Sequence, residues 1–145
     1  VRERRRFQRS FNCDPEAIRQ LLGEAQAWMI ANDLPAVTRA EAELVLAEVM
    51  NNIAEHAYDG GPGSAVLRLK CCAGGIFCLI SDRGRPMPGD APPGGAQPDL
   101  DVARAELPEG GFGWRLIRML TSDLRFGRKA GRNRLGFVLD GRSWR

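Results

Sequence analysis

Histidine and tyrosine each occur once in the 145 residues, and aromatic residues make up only 7% of them. Four cysteines with a single His and no CxxC pair do not supply the closely spaced ligands of a structural zinc site. Cys13 stands alone, Cys71 and Cys72 are adjacent, and Cys78 lies in an apolar run, which is not the layout of a disulfide framework. Buried thiols in a reducing cytoplasm are the expectation. No apolar run approaches the roughly 20 residues needed to cross a bilayer. Val1-Arg2-Glu3-Arg4-Arg5-Arg6 has no apolar stretch behind it, as a secretory leader would. No membrane partner is expected. The chain does not open on Met, which predicts trimming or excision from a larger protein. Charge of one sign is lacking too, since the net charge is +3. The nearest basic cluster, Arg2, Arg4, Arg5, Arg6 and Arg9, is interrupted by Glu3 and Phe7 and reads as a solvated terminus or charged edge strand. Direct nucleic-acid binding is therefore not expected.

What is present suits one globular domain over residues 1–145, with 43% hydrophobic and 27% charged residues and no internal repeat. Residues 5–12 read as a first strand. Asp14-Pro15 starts a helix, with Asp as N-cap and Pro at the first helical position. Ile18, Leu21, Leu22, Ala25, Trp28 and Met29 recur at helical spacing behind it. Thr38-Arg39-Ala40-Glu41 has the form of a capping box, predicting a second helix from there to about Tyr58. Residues 65–72 alternate as a half-buried strand does. Ile76-Phe77-Cys78-Leu79-Ile80 is short and continuously apolar, which suits a central strand, and Ala73-Gly74-Gly75 supplies the hairpin turn. Residues 83–110 are rich in Pro and Gly, which marks a functional or disordered loop. A third helix is expected over 113–120, and strands near 123–128 and 133–140. The order predicts an α+β, two-layer sandwich with a mostly antiparallel sheet covered on one face by helices.

Three places carry candidate chemistry. Glu48, Asn52 and His56 are four residues apart, so on an α-helix they share one face. A carboxylate beside an amide can position hydrated Mg²⁺ and a proton acceptor. The same spacing suits a solvated stripe with Glu41, Glu48, Asn52, Glu55 and Asp59, and the residues alone leave both readings open. Asp82-Arg83-Gly84 follows the apolar strand. There an Asp can accept a hydrogen bond from an exocyclic amine, and a Gly lets the backbone approach a flat ring; an ordinary Asp turn has the same residues. Gly110-Gly111-Phe112-Gly113 leads into a helix whose backbone N–H groups suit phosphate. No Gly-Lys-Ser/Thr follows and no strand precedes, so it is neither a P-loop nor a dinucleotide fingerprint.

The order of these motifs is more specific than any one of them. Glu48–Asn52–His56, then Asp82-x-Gly84, then Gly110-Gly111-x-Gly113, then Asn133-Arg134-Leu135 resembles the ATPase family shared by histidine kinases, gyrase, Hsp90 and MutL. The form Glu-x-x-x-Asn-x-x-x-His-Ala-Tyr is similar to the anti-sigma-factor serine/threonine kinases, and the resemblance runs from about Phe7 to Asp140. It implies ATP and Mg²⁺ as cofactors. Glu48 would accept the proton of the attacking hydroxyl, Asn52 would bind the Mg²⁺, and Asp82 would read adenine. Gly84, Gly111 and Gly113 would line the nucleotide, with His56 and Gly110 beside them, and 83–110 would be the lid. Arg85 and Arg115 are candidate cations near the phosphates.

The implied activity is phosphorylation of an anti-anti-sigma antagonist by a cytoplasmic protein that also sequesters a sigma factor and forms a homodimer. The alternative is a nucleotide-responsive binding module without kinase activity. A histidine-kinase catalytic fragment is a further reading, against which stands the lack, ahead of His56 in these residues, of a dimerisation helix carrying a phospho-acceptor His. The lid departs from the family pattern, with Pro86 in place of a second Gly and Met87-Pro88-Gly89 in place of a Phe-Asp-Pro-like step.

Overall fold

The computed structural model describes residues 5–86 and 109–141. Five strands and three α-helices run in the order β1 (Arg6–Asn12), α1 (Pro15–Ala31), α2 (Ala36–Asn52), β2 (Ser64–Cys72), β3 (Gly75–Asp82), α3 (Glu109–Leu120), β4 (Ser122–Lys129) and β5 (Arg132–Leu139). The strands form one sheet in the order β1-β2-β3-β5-β4, and every neighbouring pair is antiparallel. The expected α+β architecture is what the chain adopts. No helix among the described residues is long and apolar enough to cross a membrane.

Strand alternation sorts the side chains to two faces. One face sends Phe7, Phe11, Leu67, Leu69, Ile76, Cys78, Ile80, Leu135, Phe137 and Leu139 into the core. Ile18, Leu21, Ala25 and Met29 of α1 meet them, as do Val45, Leu46, Val49 and Met50 of α2. Burial drives the Cys78 thiol pKa strongly upward, and Cys13 is pushed up to about 11, first by burial and then by the nearby Asp82 and Asp14. All four cysteines are free. Strand β3 is central, but only one of its faces is covered: Phe77 is 37% exposed. A continuously apolar run therefore did not mean a strand buried on both sides.

The start of α1 follows its sequence signature, with Asp14 Oδ1 accepting from Ala17 N at 2.8 Å. The start of α2 does not. The helix begins at Ala36 behind Pro35, whose φ of −60° leads the chain in without a side-chain cap. Thr38 is buried inside the first turn with Oγ1 unpartnered, and Glu41 Oε1 accepts from Gly141 N at 3.1 Å. The capping-box reading fails because both side chains face the interior, where Glu41 serves the distant end of β5. The far end differs as well. The α-helical pattern stops at Asn52 and gives way to a π-helical turn, Ile53–Ala57.

Candidate functional site

The π-helical turn sets the first half of the site. Asn52 closes the α-helical part of α2 and is 5% exposed, and its Nδ2 has no hydrogen-bond partner. An unpaired buried amide is costly, of order 1–3 kcal/mol, and such groups call for an explanation in ligand binding or chemistry. One helical turn earlier, half-buried Glu48 approaches Gly113, the fifth residue of α3. A Cβ placed on Gly113 would lie 2.4 Å from Glu48 Oε2 and 3.7 Å from Asn52 Nδ2. The glycine thus leaves a niche, one turn into α3, in which a carboxylate and an unsatisfied amide converge. Carboxylate and amide oxygens are the hard ligands that Mg²⁺ takes, and a primary amide presents its oxygen by a half-turn, so these residues fit that ion. The free N–H groups of the first turn suit an anion.

Asp82 organises the second half. It ends β3 on the helix-covered side, 6% exposed. Its Oδ1 accepts from Gly84 N at 2.8 Å and from Asn133 Nδ2 at 2.9 Å. Oδ2 has no donor among the described residues, which leaves one carboxylate oxygen for an exocyclic amine. Asn133 Nδ2 also donates to Arg85 O at 2.9 Å, and its Oδ1 accepts from Arg128 NH1 at 2.7 Å. Arg128 NH1 donates further to Gly84 O at 3.0 Å. The β4–β5 hairpin therefore holds Asp82 and the turn after it in one network.

Tyr58 braces the same corner. Its hydroxyl donates to Ser64 O at 2.7 Å and accepts from Arg83 N at 3.0 Å. Burial raises the Tyr58 pKa; the bond from Arg83 N–H opposes that rise, and Asp82 adds to it.

The structure separates other sequence candidates. His56 points to solvent beside Glu55, at 3.8 Å from Nε2 to Oε2, because the wider π-helical turn takes it off the line through Glu48 and Asn52. Arg85 belongs to the Asp82 corner: its backbone N donates to Ala57 O at 2.9 Å and its guanidinium pairs with Asp59. Arg115 is half-buried on α3 without an ion pair among the described residues. Gly110 and Gly111 lie within α3, which begins at Glu109, four residues earlier than expected. Gly84 is a glycine for an internal reason, since a Cβ there would sit 2.5 Å from both Ala57 Cβ and Ala57 O. Most of the expected lid, residues 87–108, lies outside the described residues.

Arg128, Tyr58 and Asp59 were not among the sequence candidates. Tyr58 left a trace there as part of the His-Ala-Tyr form, and Asp59 as part of the solvated stripe.

A buried aspartate at a strand end, and a helix that carries a carboxylate and an orphaned amide, are chemically suited to hold a nucleotide. The chain belongs to the histidine kinase-like ATPase domain family, whose model matches residues 11–139. ATP is the ligand that membership implies. No curated protein matches the sequence. Two solved structures share the fold. One contains the RsbU and RsbW domains of Rv1364c from Mycobacterium tuberculosis, with a TM-score of 0.64 and 16% identity over 92% of this chain and 32% of that one. The other is the histidine kinase domain of a blue-light-activated histidine kinase from Erythrobacter litoralis, with a TM-score of 0.52 and 18% identity over 85% of this chain and 60% of that one. The chain thus spans about a third of the first neighbour's length.

Proposed function

We propose that this protein is a Mg·ATP-dependent serine/threonine kinase of the anti-sigma-factor type. It phosphorylates an anti-anti-sigma antagonist and sequesters a sigma factor in a partner switch. The observation that carries the reading is the convergence of Glu48, the unpartnered Asn52 amide and Gly113, one turn into α3. The fold shared with a chain that contains an RsbW domain supports the same branch.

Asn52 would hold Mg²⁺, which when bound supplies charge neutralisation across the phosphate oxygens. Asp82 orients the nucleotide through Oδ2, and the α3 N-terminus binds phosphate through its free N–H groups. Glu48 accepts the proton of the Ser or Thr hydroxyl as that oxygen attacks the γ-phosphorus and the bond to the β–γ bridging oxygen breaks, with ADP leaving. Few side chains are needed because phosphoryl transfer rests on positioning and charge.

Calorimetric titration of ATP with and without Mg²⁺, followed by radiolabel transfer to a cognate antagonist, tests the reading. Glu48→Ala is expected to keep ATP and partner binding while phosphoryl transfer falls by about 10²–10⁴-fold, the usual contribution of a general base. A wild-type protein that binds ATP but labels no antagonist would leave the non-kinase binding module instead.

Gly113→Ala separates catalysis from stability in a different way. The added methyl meets the flexible end of Glu48, and alanine is favoured over glycine inside a helix by about 0.8–1.0 kcal/mol. Urea unfolding is expected to show no loss of stability. Turnover is expected to fall by about 10²-fold, the scale of a misplacement of about 1 Å in a reacting group.

A further inference from the structure

The helix-free face of the sheet concentrates charge of one sign. Strand register lays it out in rows. Arg6, Lys70, Phe77 and Val138 lie side by side across four strands. In the next row come Gln8, Arg68, Leu79, Gly136 and Arg125. A third holds Ser10, Val66, Ser81, Arg134 and Gly127, and beyond it Arg132 pairs with Lys129. None of these positions carries a carboxylate, in a chain whose net charge is only +3. Arg125 has a local partner, Asp123, at 2.9 Å, and Arg68 Nε donates to the neutral Gln8 Oε1 at 3.2 Å. Arg6, Lys70 and Arg134 make no ion pair among the described residues.

At one end of this face an open cleft of about 970 Å³ is lined by Arg6, Gln8, Arg68, Lys70, Phe77 and Leu79, among others. Like charges opposite one another across strands are destabilising, as at Arg6–Lys70, so an anion bound there relieves a cost already present in the fold. The apolar floor selects among anions. Phe77, 37% exposed, and half-buried Leu79 offer little to a phosphate backbone, whereas they can be covered by aliphatic or aromatic side chains. A second copy of this face would set cation against cation.

We propose that this face docks an acidic protein segment that also bears apolar side chains. Its carboxylates would lie on Arg6, Arg68 and Lys70, and an apolar side chain would cover Phe77 and Leu79. Asp82 and Glu48 lie on the helix side, so the docking surface and the nucleotide site are separate. The proposal stands independently of kinase activity.

Fluorescence polarisation with a labelled peptide of alternating Glu and Leu tests it, beside a labelled single-stranded oligonucleotide and vesicles containing phosphatidylserine. Wild type is expected to bind the peptide in preference to the other two. Binding should weaken on the order of 10-fold or more in Arg68→Glu and Lys70→Glu, the scale of an introduced like-charge contact, and measurably in Phe77→Ser. ATP titration of each variant should match wild type, which verifies folding. Absence of peptide binding, equal binding by the variants, or tighter binding of oligonucleotide or vesicles would each overturn the proposal. So would sedimentation showing a wild-type dimer that Arg68→Glu dissociates, because the face would then be occupied by a second copy.

Discussion

Asp82→Ala is expected to weaken ATP binding by about 10- to 100-fold, because a hydrogen bond to a charged group contributes about 1.5–3 kcal/mol and each 1.4 kcal/mol is tenfold. The loss is specific to one oxygen. Oδ1 is already filled by Gly84 N and Asn133 Nδ2, so a base amine can be read only through Oδ2. The same substitution removes two internal acceptor contacts, and a modest drop in the urea midpoint should accompany the binding loss. Asn133 Nδ2 keeps Arg85 O as an acceptor, which limits that drop. Isothermal titration and urea unfolding on the same samples separate the two effects. Unchanged ATP affinity in a folded Asp82→Ala protein would place the base elsewhere.

Gly84→Ala is expected to act on stability first. Its Cβ would lie 2.5 Å from Ala57 O and 2.8 Å from Ala57 C, both backbone atoms of the π-helical turn. Nothing flexible can yield, so the Arg85 N to Ala57 O bond and the Asp82 loop must shift together. Overpacking of this kind costs about 1–3 kcal/mol. Urea unfolding should show that loss with an unchanged m-value, and ATP binding should weaken as the loop moves. Gly113→Ala is the counterpart: the same added methyl meets a mobile carboxylate end, so catalysis suffers and stability does not. A Gly84→Ala protein as stable as wild type would show that the turn is free to relax.

The sequence by itself determined the kinds of elements and their order, because helix and strand periodicities and the Asp14-Pro15 start are properties of neighbouring residues. The three motifs were legible for the same reason, and their order pointed to the family that the domain match then showed. Local pattern also misled where two meanings share one spelling. Thr38-x-x-Glu41 reads as a capping box until the fold turns both side chains inward. Glu48, Asn52 and His56 share a face only while the helix stays α, and the π-helical turn after Asn52 sends His56 to solvent.

Contacts between distant residues were left to the tertiary structure. Arg128 reaches Gly84 across 44 positions and Asn133 reaches Asp82 across 51, and no spacing rule covers such pairs. The reason for glycine at position 84 was likewise hidden, since it depends on where the end of α2 comes to rest. So was the single-signed outer face, because which side of a strand stays open depends on where the helices dock.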